Sequence, residues 1–324
     1  MIISRTPFRV SFAGGGTDLP AFYRNEYGAV LSATIEHFMY VTVHRRFEPT
    51  IRVAYTKTEI VDHVDQIDHD LVRETLRLTG LEGPLEITTI GDVPAGTGLG
   101  SSSTLTIGLL RAFLTYRGMT VSPHELGRQA CRIEIDVLDK PIGRQDQYAA
   151  AFGGLNYLRF NADDSVDIEP IPCRTETLEE LQRHMLLLYT NQSREAGDIL
   201  KHQSAGTAQR MPILRQMRDL AAEMRTAITG EGDLDRFAAL LDEGWQLKRS
   251  LGFGITNSGI DAQYAVAKKA GAQGGKLLGA GGGGFLLLMG PPDRHDAIRE
   301  AMGFPRELRF SFDHEGSKIL FNSR

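Results

Sequence analysis

Pro94-Ala-Gly-Thr-Gly-Leu-Gly-Ser-Ser-Ser-Thr104 is the stretch around which the rest of the chain is arranged. Three alternating glycines, Gly96, Gly98 and Gly100, run directly into Ser101, Ser102 and Ser103. An amphipathic segment over 104–116 follows, with Leu105, Leu109, Leu110, Phe113 and Leu114 on one side. That order predicts a glycine loop feeding the N-terminus of a helix. Glycine tolerates positive φ and lets the backbone approach a ligand closely. The first helical turn offers unpaired N–H groups and the positive end of the helix dipole, and such a place most often holds phosphate. A plain glycine turn with a serine cap needs one hydroxyl. Three in a row supply extra donors, one of which can face a metal ion. No Gly-Lys-Ser/Thr follows, so the loop is not a Walker A sequence.

Outward from the loop, residues 85–90 read as the strand that leads into it. At the start of the chain, residues 2–10 read as a strand running into Ala13-Gly-Gly-Gly-Thr-Asp18. Arg5 and Arg9, four apart, share one face of that strand. Asp18 has two readings: a cap for a short helix at 19–23, or an acceptor for paired sugar hydroxyls with Arg9 nearby as a cation. Residues 29–53 alternate like strands with a turn at Glu36-His37, a short strand pair covers 52–61, and 65–79 is helical by pattern. Regular strand–helix alternation is missing, which excludes a doubly wound parallel sheet.

Beyond the loop helix, a second helix is predicted from 124 to about 138, capped by Ser122 with Glu125 three residues on. Glu134 lies among its apolar residues, either as a solvated edge or as a buried carboxylate that binds a cation. Pro141 and Gly143 end the helix. Asp146 follows between Gln145 and Gln147, as a cap or as a catalytic carboxylate on a loop. Residues 155–160 and 166–171 form a predicted strand pair. The composition then turns polar and acidic, which suggests two domains, 1–165 and 166–324.

In the second half, 184–189 reads as a buried strand, 190–194 as a polar loop and 195–203 as a helix. Residues 211–229 and 233–251 read as long helices, with Asp233 capping the second, and their apolar residues as core packing. A helix at 259–270 precedes Gly274-Gly-Lys-Leu-Leu-Gly-Ala-Gly-Gly-Gly-Gly-Phe285. Gly279, Gly281 and Gly284 formally match Gly-x-Gly-x-x-Gly, but a strand rather than a helix follows, so a dinucleotide site is rejected. A glycine hairpin fits better, lying against a ligand or against the phosphate loop. A helix at 292–302 and strands at 306–310 and 318–321 complete an α+β second half.

The chain has 324 residues, 41% hydrophobic and 24% charged, as expected of a globular protein with one large or two ordinary domains. A net charge of −5 argues against a general nucleic-acid binder. Two cysteines, Cys131 and Cys173, give neither a disulfide framework nor a zinc spacing. No apolar run is long enough to span a bilayer. These features predict a cytoplasmic protein with no membrane or nucleic-acid partner. They leave the oligomeric state open, a homodimer included.

Three motifs now stand together: Pro7-Phe-Arg-Val-Ser-Phe-Ala-Gly-Gly-Gly-Thr-Asp18, Pro94–Ser103 and Lys276-Leu-Leu-Gly-Ala-Gly-Gly-Gly-Gly-Phe285. In order and spacing they resemble the three motifs of the GHMP small-molecule kinases over nearly the whole chain. The resemblance implies an α+β, two-domain fold: an N-terminal domain like the second domain of ribosomal protein S5, and a ferredoxin-like C-terminal domain. It implies ATP and Mg²⁺, with the ATP phosphates on Pro94, Gly96, Gly98, Leu99, Gly100, Ser101, Ser102 and Ser103. By the same resemblance Asp146 is the catalytic carboxylate, Arg9 sits by the reacting phosphate, and Ser102 and Glu134 hold the metal. The substrate falls to Gly15, Gly16, Thr17 and Asp18, with Gly281 and Gly282 of the third motif. The subfamily pattern is most similar to kinases of D-glycero-D-manno-heptose 7-phosphate, through Ala13–Asp18, Gln145–Asn156 and the Thr190-x-x-Ser-Arg form. L-fucose kinase domains share similar motifs. The implied reaction moves phosphate from ATP to the anomeric hydroxyl of a sugar phosphate. For the sugar's own phosphate, Arg194 and Lys201 are the preferred cations, with Arg144 and Arg24 as further candidates. A neutral-sugar kinase, a decarboxylase on the same scaffold and a non-catalytic sugar sensor are the alternatives.

Overall fold

Strands β1 (Ile2–Ala13) and β2 (Gly28–Arg45) are the spine of a nine-stranded sheet in the computed structural model, which describes residues 1–192, 207–252 and 254–323. They run antiparallel from Ile2 opposite Val43 to Ala13 opposite Leu31. The far half of β2 pairs with β5 (Leu85–Gly91), which is also parallel to β3 (Ile51–Ala54), and β3 forms a hairpin with β4 (Thr58–Val61). The near half of β2 pairs with β6 (Leu155–Phe160), and β6 with β7 (Val166–Pro170).

The turn expected at Glu36-His37 is a bulge instead. β2 continues through it, and the register jumps from Pro7 opposite Phe38 to Phe8 opposite Ile35. The extra residues leave the ladder, and the Glu36 N–H donates to the Ser311 carbonyl at 2.8 Å. Two polar residues inside an apolar strand look like a turn when the partner strand is unknown, although a bulge places them equally well.

Helix α3 (Ser101–Tyr116) lies on this sheet with Leu105, Ile107, Leu109, Leu110 and Phe113 buried. It begins three residues earlier than its apolar pattern, so all three serines sit in its first turn. Helix α2 (Asp70–Thr79) starts later than the 65–79 reading, after a 3-10 turn at Val64–Gln66. Ser122 accepts from the Glu125 N–H at 3.2 Å and caps α4 (Pro123–Cys131), which passes into a π turn at Arg132–Val137.

The second sheet has the order β8 (Met185–Tyr189), β10 (Phe285–Met289), β9 (Gly274–Leu277), all antiparallel. The short helix α6 (Thr175–Arg183) leads into it, and three long helices accompany it: α7 (Thr207–Ile228), α8 (Leu234–Ser250) and α9 (Ser258–Ala270). Asp233 accepts from the Arg236 N–H at 2.9 Å, the expected cap of α8. Asp233→Ala is expected to cost about 1 kcal/mol, seen as a lower urea midpoint with an unchanged m-value.

The strand expected at 306–310 reduces to a bridge beside β8, through Tyr189 N–H to Arg306 O and Leu308 N–H to Leu187 O. The chain then returns to the large sheet, where β11 (Phe312–Asp313) pairs with β2 and β12 (Lys318–Asn322) pairs with β1. The boundary expected after residue 165 falls inside the β6–β7 hairpin, and the first sheet draws on both ends of the chain. The helix expected at 195–203 lies outside the described residues. Among the described residues, no helix is long and apolar enough to cross a membrane.

Candidate active site

A cavity is bordered by the end of β1, the glycine loop, the start of helix α5 (Gln145–Phe152), α7, α8, Lys276 of β9 and the β9–β10 turn. Gly96, Gly98 and Gly100 all have positive φ, at 75°, 86° and 81°. Gly98 also has no room for a side chain: a Cβ there would lie 2.6 Å from the Leu278 carbonyl oxygen. One at Gly284 would lie 2.5 Å from the Thr97 oxygen. The second glycine motif therefore braces the first, backbone against backbone, and the Phe285 N–H donates to Thr97 O at 3.2 Å.

Arg9 is buried at the centre. Its Nε and Nη2 each donate to one oxygen of Asp146 at 2.8 Å, and Nη1 donates to the Gly98 carbonyl at 2.7 Å. A bidentate guanidinium–carboxylate pair fixes both partners in one plane. It occupies two of the roughly four lone-pair directions of the carboxylate and leaves the others for a hydroxyl.

Glu134 has no exposed surface. Ser102 Oγ donates to its Oε1 at 2.6 Å and Gln147 Nε2 to its Oε2 at 2.8 Å. Burial pushes this carboxyl above its ordinary value, against the hydroxyls of Ser102 and Ser103 and the Gln147 amide, which pull it down. A positive charge beside it would favour the ionised form. The solvated-edge reading of Glu134 is thus replaced by the buried one.

Asp18 does not cap α1 (Pro20–Tyr23), whose N-terminus has no side-chain cap. Its Oδ1 accepts from the Gly16 N–H at 2.8 Å, and its Oδ2 from the backbone and side-chain N–H groups of Gln145 at 3.2 and 3.0 Å. Burial raises its pKa, the Gly16 N–H opposes that, and nearby Asp146 adds to it. The Gln145 Oε1 is buried without a partner among the described residues, on the cavity wall. Asp18 and Gln145 together present hydrogen-bond acceptors at the cavity wall.

Several expected site residues take other places. The Leu99 side chain is core, and its carbonyl anchors the Arg9 N–H at 3.2 Å. Pro94 is exposed at the outer end of the loop, its carbonyl accepting from Thr97 Oγ1. Thr17 Oγ1 donates to Gly14 O and Ala29 O, pinning the turn from behind while Gly15 and Gly16 line the cavity. Gly281 and Gly282 back onto Ile255, and Gly279 and Ala280 line the cavity in their place. Arg24 and Arg144 are both engaged with Asp164. Arg194 and Lys201 lie outside the described residues.

Two cations on the wall were not anticipated. Lys248 comes from the buried face of α8, in step with Leu241 and Trp245, the face read as core packing alone. Lys276 comes from β9. A lysine at core spacing in an apolar stripe was the available signal. Burial, with Arg9 adding to it, pushes the Lys248 ammonium down to about 8; burial also holds Lys276 well below its ordinary value, with Lys248 and Arg9 contributing.

A glycine loop beneath a helix N-terminus, facing a buried Arg–Asp pair and a carboxylate–serine pair, is equipped for phosphoryl transfer to a small molecule. The comparisons agree. Residues 68–154 match the N-terminal domain of the GHMP kinases, and residues 220–305 their C-terminal domain. The chain belongs to the GHMP kinase family of ATP-dependent phosphotransferases. It is 30% identical to the D-glycero-alpha-D-manno-heptose 7-phosphate kinase of Campylobacter jejuni, over 98% of both chains. The L-fucokinase/L-fucose-1-P guanylyltransferase of Bacteroides fragilis is 26% identical over 92% of this chain, which spans 35% of that longer protein. The crystal structure of a D-glycero-D-manno-heptose 1-phosphate kinase from Bacteroides thetaiotaomicron superposes with a TM-score of 0.83 at 28% identity, over 100% of both chains.

Proposed function

We propose that the chain is a sugar kinase that transfers the γ-phosphoryl group of ATP to the anomeric hydroxyl of D-glycero-D-manno-heptose 7-phosphate, giving the 1,7-bisphosphate and ADP. The observation that carries this reading is the Arg9–Asp146 pair, joined to the phosphate loop at Gly98 and lying beside Asp18 and Gln145. The names of two similar proteins support a heptose monophosphate and differ on which end carries the first phosphate. The relative compared by sequence over its whole length favours the 7-phosphate.

In the reaction the sugar hydroxyl attacks the γ-phosphorus, its proton passes to an oxygen of Asp146, and the bond to ADP breaks. Arg9 offsets charge beside the transferring group. The glycine N–H groups and the α3 N-terminus take the remaining phosphate oxygens. Ser102 and Glu134 would hold Mg²⁺, which supplies charge neutralisation between phosphate oxygens when bound. A buried carboxylate with a hydroxyl on one oxygen is a fitting set for a hard divalent cation. Among the described residues no three His, Cys, Asp or Glu side chains gather into a metal site. Glu134→Gln is expected to raise the Mg²⁺ concentration for half-maximal turnover by about tenfold or more. A titration with an unchanged midpoint would remove Glu134 from the metal.

The assay is ADP release from Mg-ATP with heptose 7-phosphate, mannose 6-phosphate, mannose, fucose and galactose, with ³¹P NMR of the product. A new anomeric phosphate on phosphorylated sugars alone is the expected result. Turnover of free fucose instead would favour the neutral-sugar reading, which the fucokinase relative supports.

A further inference from the structure

The cavity wall carries two lysine amino groups that have no carboxylate partner among the described residues. Lys248 Nζ donates to the carbonyls of Leu277, at 3.2 Å, and Gly279; Lys276 Nζ donates to the Phe12 carbonyl at 3.0 Å. Neither pairs with a carboxylate among the described residues, although both are more than nine-tenths buried. Buried charge is costly unless it is paired. Beside them lies Ser11, two residues along β1 from Arg9 and on the same face. Its hydroxyl is buried, has no partner among the described residues and borders the same cavity.

We propose that Ser11, Lys248 and Lys276 form a second anion subsite, which takes the phosphate already carried by the sugar. The inference rests on the sugar-phosphate reading above and assigns that phosphate a place. The phosphates of ATP already have the glycine loop, the α3 N-terminus and Arg9. Neither lysine hydrogen-bonds any described atom of residues 94–103. An anion placed beside them favours the protonated form of both lysines, and two ammonium groups so formed match the charge of a phosphate monoester, close to two negative charges at neutral pH. Because both lysines belong to the second sheet and its helices, the sugar would be held from both sides of the cleft.

The test is calorimetric binding of mannose 6-phosphate, mannose and a non-hydrolysable ATP analogue to wild type and to Lys248→Met, Lys276→Met and Ser11→Ala. Each lysine variant is expected to weaken mannose 6-phosphate by about ten- to a hundredfold, the loss of one charge-assisted contact, while mannose and the ATP analogue stay within about twofold. Lys248→Arg and Lys276→Arg should recover part of the loss. Ser11→Ala should act in the same direction more weakly, and it keeps the test valid if a lysine variant fails to fold. In wild type, inorganic phosphate should compete with mannose 6-phosphate and not with the ATP analogue. Equal losses for mannose and mannose 6-phosphate, or weakened ATP binding, would overturn the assignment. If wild type turns over free sugars with no preference for phosphorylated ones, the substrate reading falls and takes the subsite with it. If wild type prefers the phosphorylated sugar and the variants keep that preference, the subsite alone falls.

Discussion

Asp146→Asn is expected to lower kcat by about 10²- to 10⁴-fold while ATP affinity stays within about twofold of wild type. The amide keeps the shape of the carboxylate and one acceptor for Arg9, but it cannot take a proton from the sugar hydroxyl. It also turns an NH₂ group toward a guanidinium nitrogen now held at 2.8 Å, so one half of the bidentate pair becomes donor against donor. The hydrogen bond from Arg9 to Gly98 does not involve Asp146, and the glycine loop keeps its anchor. Rapid-quench single turnover with Mg-ATP, alongside nucleotide binding by calorimetry, separates the two effects. Single-turnover rates near wild type would show that the proton leaves by another route.

Gly143→Ala is the second large effect, and it acts on the sugar side. A Cβ at residue 143 would lie 1.9 Å from Asp18 Oδ2 and 2.4 Å from its Cγ. The carboxylate cannot swing away cheaply, because the Gly16 N–H and the two Gln145 donors fix both of its oxygens. Displacing a positioning group by about an ångström can cost about a hundredfold in rate, and that is the loss expected in kcat/KM for the sugar. Nucleotide binding should persist, since residue 143 makes no contact with the loop in the hydrogen-bond pattern described above. An unchanged KM and kcat for the sugar would show that Asp18 does not set the acceptor's position.

Both predictions join residues far apart in the chain, and that distance marks the limit of what the sequence could disclose. The glycine loop was legible because its chemistry is local: three positive-φ positions and a helix start lie within ten residues. Arg9, Asp18, Glu134 and Asp146 were legible only as members of motifs. Nothing in their spacing says that Arg9 and Asp146 share two hydrogen bonds, or that Glu134 meets Ser102 across a helix pair. Lys248 was missed because a lysine in an apolar stripe usually runs its stem along the core and its head to water. Here the helix end points into a cleft, and no local pattern encodes that. The strand expected at 306–310 shrank for a similar reason. Whether a segment becomes a full strand depends on the edge available to it, and β8 forms a single bridge there before the chain crosses back.

That return has a consequence for how the protein is made. β1 carries Arg9, and β12 covers the outer edge of its first part, from Ile2 opposite Asn322 to Arg5 opposite Lys318. During synthesis the first strand leaves the ribosome long before its cover does. Until then it presents unpaired backbone groups along one side, the kind of edge that recruits other chains. A chain lacking residues 318–322 would keep that edge open even with both glycine motifs in place. The short closing strand thus shields the sheet that holds Arg9 from pairing edge to edge with another chain.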